Sequence, residues 1–108
     1  MKTMILSFLL ILSLNSFGET FTANQQLTGT VSSSSSVKVL EPYAVRNYLL
    51  IMNTGSYSIY AKMGGAHVST EGVIIPAGGN WEPFNVPVDS IYLKGASAST
   101  YNLVEGKK

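Results

Sequence analysis

An all-β fold, a single small antiparallel β-sandwich of about seven strands in a jelly-roll or immunoglobulin-like order, is the architecture this sequence predicts. Three observations carry it. From Val37 onward, clusters of Gly, Pro, Asn and Ser interrupt the chain at roughly 8–12-residue intervals, the spacing of sandwich strands. Between Ser56 and Met63, polar and apolar residues alternate with a period of two. Beyond the first eighteen residues no segment has helical periodicity, and no unit of about 20–50 residues repeats.

The N-terminus is a separate matter. Residues 1–18 carry Lys2, an apolar run from Met4 to Leu14 broken only by Ser7 and Ser13, and the small residues Ser16 and Gly18. A run of about eleven residues suits the core of an export signal cleaved after Gly18, because a bilayer-spanning helix needs roughly 20. The alternative is a retained hydrophobic N-terminal helix that anchors the chain, with Lys2 on the cytoplasmic side.

Composition bounds what remains. Residues 19–108 suffice for one domain and not two. Without Lys2, six basic residues face six acidic ones, so the long-range field that draws proteins to nucleic acid or an anionic membrane is missing. There are no cysteines, so disulfides do not staple the domain and stability must come from packing or from association.

Residues 19–36 read as an N-terminal arm that ends in a linker, the serine run Ser32–Ser36, with the domain occupying residues 37–108. A hairpin with strands Thr20–Val31 and Val37–Leu40 and the serines as its loop is the alternative. Val37–Leu40 is a short strand stopped by Pro42, and the apolar run within Asn47–Met52 is long enough for a central strand. Asn53-Thr54-Gly55 turns the chain into the alternating strand, which sets Tyr57, Ile59, Ala61 and Met63 on one face and Ser56, Ser58, Tyr60 and Lys62 on the other. These two strands are expected to pair as an antiparallel hairpin. Val73–Ile75 leads into the turn Pro76-Ala77-Gly78-Gly79-Asn80, and Trp81–Phe84 returns. Ser90–Lys94 points Ile91 and Leu93 inward, and Thr100–Glu105 is the last strand.

The order Arg46-Asn47-Tyr48-Leu49-Leu50-Ile51-Met52-Asn53-Thr54-Gly55, then Ile59 to Gly65, Ile75-Pro76-Ala77-Gly78-Gly79-Asn80-Trp81-Glu82, Ile91 to Gly95 and Tyr101 to Glu105 resembles the small β-sandwich proteins and appended domains among bacteriophage structural proteins. The resemblance covers about Val37 to Glu105. It implies a virion-associated structural, decoration or fibre-attachment role without catalysis. The signal-like N-terminus departs from that group, whose members are mostly assembled in the cytoplasm.

Chemistry-bearing motifs are scarce. His67 is the only histidine and its neighbours supply no ligand spacing, so neither a metal nor a cofactor is expected. The chain has no Gly-x-Ser-x-Gly elbow and no thiol nucleophile, and Glu82 with Asp89 is the nearest approach to a carboxylate pair. Gly64-Gly65 and Gly78-Gly79 precede no helix and read as turns. The interface candidates are Tyr60, Tyr92, Trp81 and Arg46. Tyr60 and Tyr92 would form a flat outward patch, Trp81 either joins them or caps the core, and Arg46 pairs with an acid such as Glu82 or Glu105 or meets a ligand. The expected partners are other subunits of an assembly, a virion above all, and possible further copies of the chain. No nucleic acid is expected, and membrane contact is expected only through residues 1–18. The alternative is an exported carbohydrate-binding or adhesion module. Deleting residues 19–36 is expected to leave a folded domain that no longer assembles.

Overall fold

The computed structural model describes residues 22–107, all of them strand, turn or loop. The signal or anchor expected at residues 1–18 lies outside that range. Among the described residues no helix is long and apolar enough to cross a membrane. The strands are β1 (Thr22–Val31), β2 (Val37–Leu40), β3 (Arg46–Asn53), β4 (Ile59–Met63), β5 (Val73–Ile75), β6 (Asn80–Trp81), β7 (Ile91–Gly95) and β8 (Ser99–Lys107). They form two four-stranded antiparallel sheets, one in the order β1-β8-β3-β6 and the other β2-β7-β4-β5. Every connection except β4–β5 passes from one sheet to the other.

One core lies between the sheets. Leu49, Ile51, Tyr101, Leu103 and Val31 face it from the first sheet, and Leu40, Ile59, Ala61, Ile75, Ile91 and Leu93 from the second. Burial alternates along β7 and along most of β3 and β8, which is how a strand with one face inward spends its residues. The inward setting of Ile59, Ala61, Ile91 and Leu93 is the one the alternation predicts, whereas Tyr57 and Met63, read on the same face as Ile59, are exposed at either end of β4.

Two pairings differ from the sequence reading. Residues 22–31 are not an arm: β1 is an edge strand in register with β8 from Thr22 opposite Lys107 to Val31 opposite Ser99. Nor does β1 pair with β2, because the serine run carries the chain from the first sheet to the second. Likewise β3 and β4 belong to different sheets, so the expected hairpin between them does not form. The cause is local. The Asn53 side chain binds the carbonyls of Tyr57 and Ile75 and the amide of Gly55, and turns the chain across the core rather than back along β3. The strand expected over Trp81–Phe84 is also shorter, since β6 ends at Trp81, before Pro83.

Candidate functional site

The register of the second sheet decides which side chains share its outer face. Tyr92 on β7 lies between Lys38 on β2 and Lys62 on β4, and Tyr60 on β4 lies between Lys94 on β7 and Ile74 on β5. These residues alternate with the buried Leu93, Ile59, Ala61 and Ile75, so all six project away from the core. Two tyrosines, three lysines and Ile74, which is 62% exposed, thus form one continuous aromatic and cationic surface. Lys38 is paired with Glu41 at 3.2 Å and Lys62 with Glu71 at 3.4 Å, both near the solvent where such pairs hold loosely.

The β4–β5 loop reaches across to the β2 edge of this sheet. It leaves β4 at Met63 and reaches Ser36, the residue before β2 on the far edge of the sheet, where His67 Nδ1 lies 2.6 Å from Ser36 Oγ and the His67 amide donates to the same oxygen at 3.0 Å. Lys62 Nζ donates to the Ala66 carbonyl at 3.1 Å beneath it. The amides of Val68 and Ser69 donate to the Glu71 carboxylate, which holds its pKa below the usual range. The loop returns through Gly72, whose φ of 104° lies in the left-handed region. A Cβ there would stand 2.2 Å from the Ala61 carbonyl oxygen, so only glycine brings the loop back onto β4. Burial lowers the His67 pKa, partly offset by the Tyr60 carbonyl and Glu71.

Ser36, His67 and Glu71 do not make a nucleophile triad. Glu71 is held by backbone amides and Lys62 rather than by the imidazole, and His67 Nε2 has no hydrogen-bond partner. The pairing of Ser36 with His67 was invisible to sequence reasoning, since 31 positions separate them.

The other two candidates lie elsewhere. Trp81 pairs with Ile51 and packs half-buried against the core, so it caps the sandwich and does not join the tyrosines. Arg46 is 4% exposed. Its Nε donates to Glu105 at 2.6 Å, Nη1 to the carbonyls of Pro87 and Asp89, and Nη2 to the carbonyl of Glu41. Arg46 therefore fastens two loops and one strand to β3, and of the two acids expected as its partner it takes Glu105. Glu82 instead accepts the Tyr48 hydroxyl, and burial followed by this bond pushes the Tyr48 pKa up to about 12.

A cavity of about 330 Å³ opens beside Glu105, lined by Gln25, Val39, Glu41, Pro42 and Tyr43. Both Glu105 oxygens are engaged, one by Arg46 and the other by Gln25 Nε2 at 2.8 Å, while Glu41 holds Lys38. Its two carboxylates are therefore bound to cations or amides rather than poised as an acid and a base. Among the described residues no group of three or more His, Cys, Asp or Glu side chains gathers as a metal site. No protein-family model matches the chain, and no curated protein matches it.

Proposed function

We propose that this chain is a non-catalytic structural protein that packs into a larger assembly, a virion above all, through the outer surfaces of its sheets. The observation that carries the reading is the juxtaposition of Tyr60, Tyr92, Ile74 and three lysines on one outer sheet face. Aromatic side chains supply large contact area at small entropic cost, and the half-buried Tyr60 and Tyr92 lie beside the exposed Ile74. The strand orders β1-β8-β3-β6 and β2-β7-β4-β5 support a finer fold reading, a jelly roll, in which consecutive strands alternate between sheets. Capsid and lectin domains are built on that architecture, and the link from architecture to role is analogy only.

The same tyrosines favour a second reading, an exported module that stacks a sugar ring on Tyr60 or Tyr92. Two measurements separate the readings. Particles purified by density gradient from the source culture should contain the chain at a fixed copy number, and Tyr60→Ser with Tyr92→Ser should lower its incorporation. Absence from every particle fraction, together with glycan-dependent protection from thermal unfolding, overturns the assembly reading in favour of the module.

A further inference from the structure

Four strand edges bound the two sheets, and three of them are short. β6 has two residues, β5 has three, and β2 has four, with a register shift, Lys38 on its face and Pro42 just beyond. Short, bulged or charged edges are how sheets avoid pairing with strangers. The fourth edge, β1, breaks that pattern. It runs for ten residues, contains no charged residue and no proline, and among the described residues pairs only with β8. Its one irregularity, between Ala23 and Gln25, lies near the strand's beginning and leaves the stretch from Gln25 to Val31 in unbroken register.

We propose that the free edge of β1 pairs antiparallel with β1 of a second copy of this chain, joining two β1-β8-β3-β6 sheets into one across a two-fold axis. The inference rests on the assembly reading above and names its first contact. Three features select a second copy rather than an unlike partner. An antiparallel edge is complementary to itself under a two-fold rotation, and such pairing consumes both edges and closes the assembly. The neutral strand offers nothing to attract a charged partner, and no like charges meet when it faces itself. A strand of this length spans about 34 Å and can form up to about ten interchain N–H···O bonds, the number an ordinary protein interface carries. Gln26, Thr28 and Thr30, exposed on the outer side of β1, would meet their counterparts across the axis as hydrogen-bonding neighbours.

The test is the stoichiometry of the full chain by native mass spectrometry and sedimentation over a concentration series. The wild type should be dimeric. Gln26→Lys with Thr28→Lys, and separately Gln26→Glu with Thr28→Glu, should each weaken the dimer about tenfold or more, because like charges then face one another between the strands. Both positions are exposed, so far-ultraviolet circular dichroism and the melting temperature of each variant at low concentration should match those of the wild type. Mixing the lysine and glutamate forms should restore dimers, an outcome that a folding defect cannot produce. A wild type that stays monomeric overturns the proposal, as does a dimer indifferent to both variants, such as one formed through residues 1–18. If the monomeric chain still enters particles, the assembly reading survives while the β1 contact does not.

Discussion

Arg46 and Glu105, 59 residues apart in the chain, meet through a 2.6 Å hydrogen bond from Nε to Oε2, with neither side chain more than 2% exposed. Such a pair gains little over an apolar substitute, yet losing one partner strands the other in a medium that solvates charge poorly. The two partners are not equivalent. Arg46 also satisfies the carbonyls of Glu41, Pro87 and Asp89, whereas Glu105 otherwise accepts from Gln25.

Replacing Arg46 with Met is therefore expected to cost about 3–5 kcal/mol, since it leaves a buried carboxylate and three carbonyls without their donor. Glu105→Gln keeps an acceptor for the guanidinium and should cost about 1–3 kcal/mol. Urea denaturation midpoints check the order. Equal losses would mean that the carbonyl contacts contribute nothing.

At the opposite end of β3, Asn53 does comparable work without charge. Its Nδ2 donates to the carbonyls of Tyr57 at 2.7 Å and Ile75 at 2.9 Å, and its Oδ1 accepts from the Gly55 amide at 3.0 Å and the Ser99 hydroxyl at 2.9 Å. Its backbone binds Gly78 and Gly79, which fixes the Pro76–Gly79 turn. Asn53→Asp places a carboxylate oxygen against two carbonyls and is expected to cost about 3 kcal/mol or more, with part of the loss recovered below the carboxylate's pKa. Ser99→Ala removes one bond of the four and should cost about 1 kcal/mol. Thermal unfolding of both variants at neutral and acid pH checks the contrast.

What the sequence makes legible and what it hides follow from the range of the interactions. The alternation of Ile59 and Ala61, or of Ile91 and Leu93, is a local pattern and correctly marks both strands and their inward faces. Partner choice is not local. Asn53-Thr54-Gly55 reads as a hairpin turn until the bonds from Asn53 to Ile75 and Ser99, 22 and 46 residues away, show the chain turning to the other sheet. β1 is left between arm and strand for a different reason. The inward side of its middle is Gly29, and a Cβ there would lie 2.7 Å from the Tyr101 hydroxyl. The ring supplied by β8 fills the place of the apolar side chain that would have marked a strand, so the sequence supports an arm as readily as a strand. The outward placement of Tyr60 and Tyr92 was legible, whereas the strap that His67 fastens to Ser36 was not.

That strap gives stability a pH dependence of known sign. Burial lowers the His67 pKa, so the unfolded chain binds the proton more readily than the folded one. Stability is fully present above the ordinary histidine value of about 6.5 and is lost as pH falls through the depressed folded value. Tyr48 acts at the other limit. Its pKa is raised to about 12, so its contribution is full below the ordinary value of about 10 and lost as pH rises toward the folded one. Histidine titration by nuclear magnetic resonance and chemical denaturation across pH test both. His67→Gln should reduce the loss on the acid side, where Glu71 also contributes, and Tyr48→Phe the loss on the alkaline side, where the buried Tyr101 also contributes, and a profile unchanged by either variant would refute its assignment.

Removing residues 19–36 distinguishes an arm from a structural strand. An arm could be deleted with the fold intact, but this deletion takes away β1, which among the described residues flanks β8 on the side away from β3, and with it the buried Val31 and the half-buried Leu27. It also uncovers Tyr101, which lies against Gly29, and removes Gln25 from the Glu105 carboxylate. Burial of a side chain such as Val or Leu contributes about 1.5–3 kcal/mol, and a native domain stands only about 5–15 kcal/mol above its unfolded state. The truncated chain should therefore lose the cooperative thermal transition that the intact one shows, and its β8 amides should exchange with solvent within the dead time of the measurement. If it instead melts cooperatively near the wild-type temperature, β1 is an accessory to the sandwich, and the pairing proposed for its free edge would be that of a detachable arm.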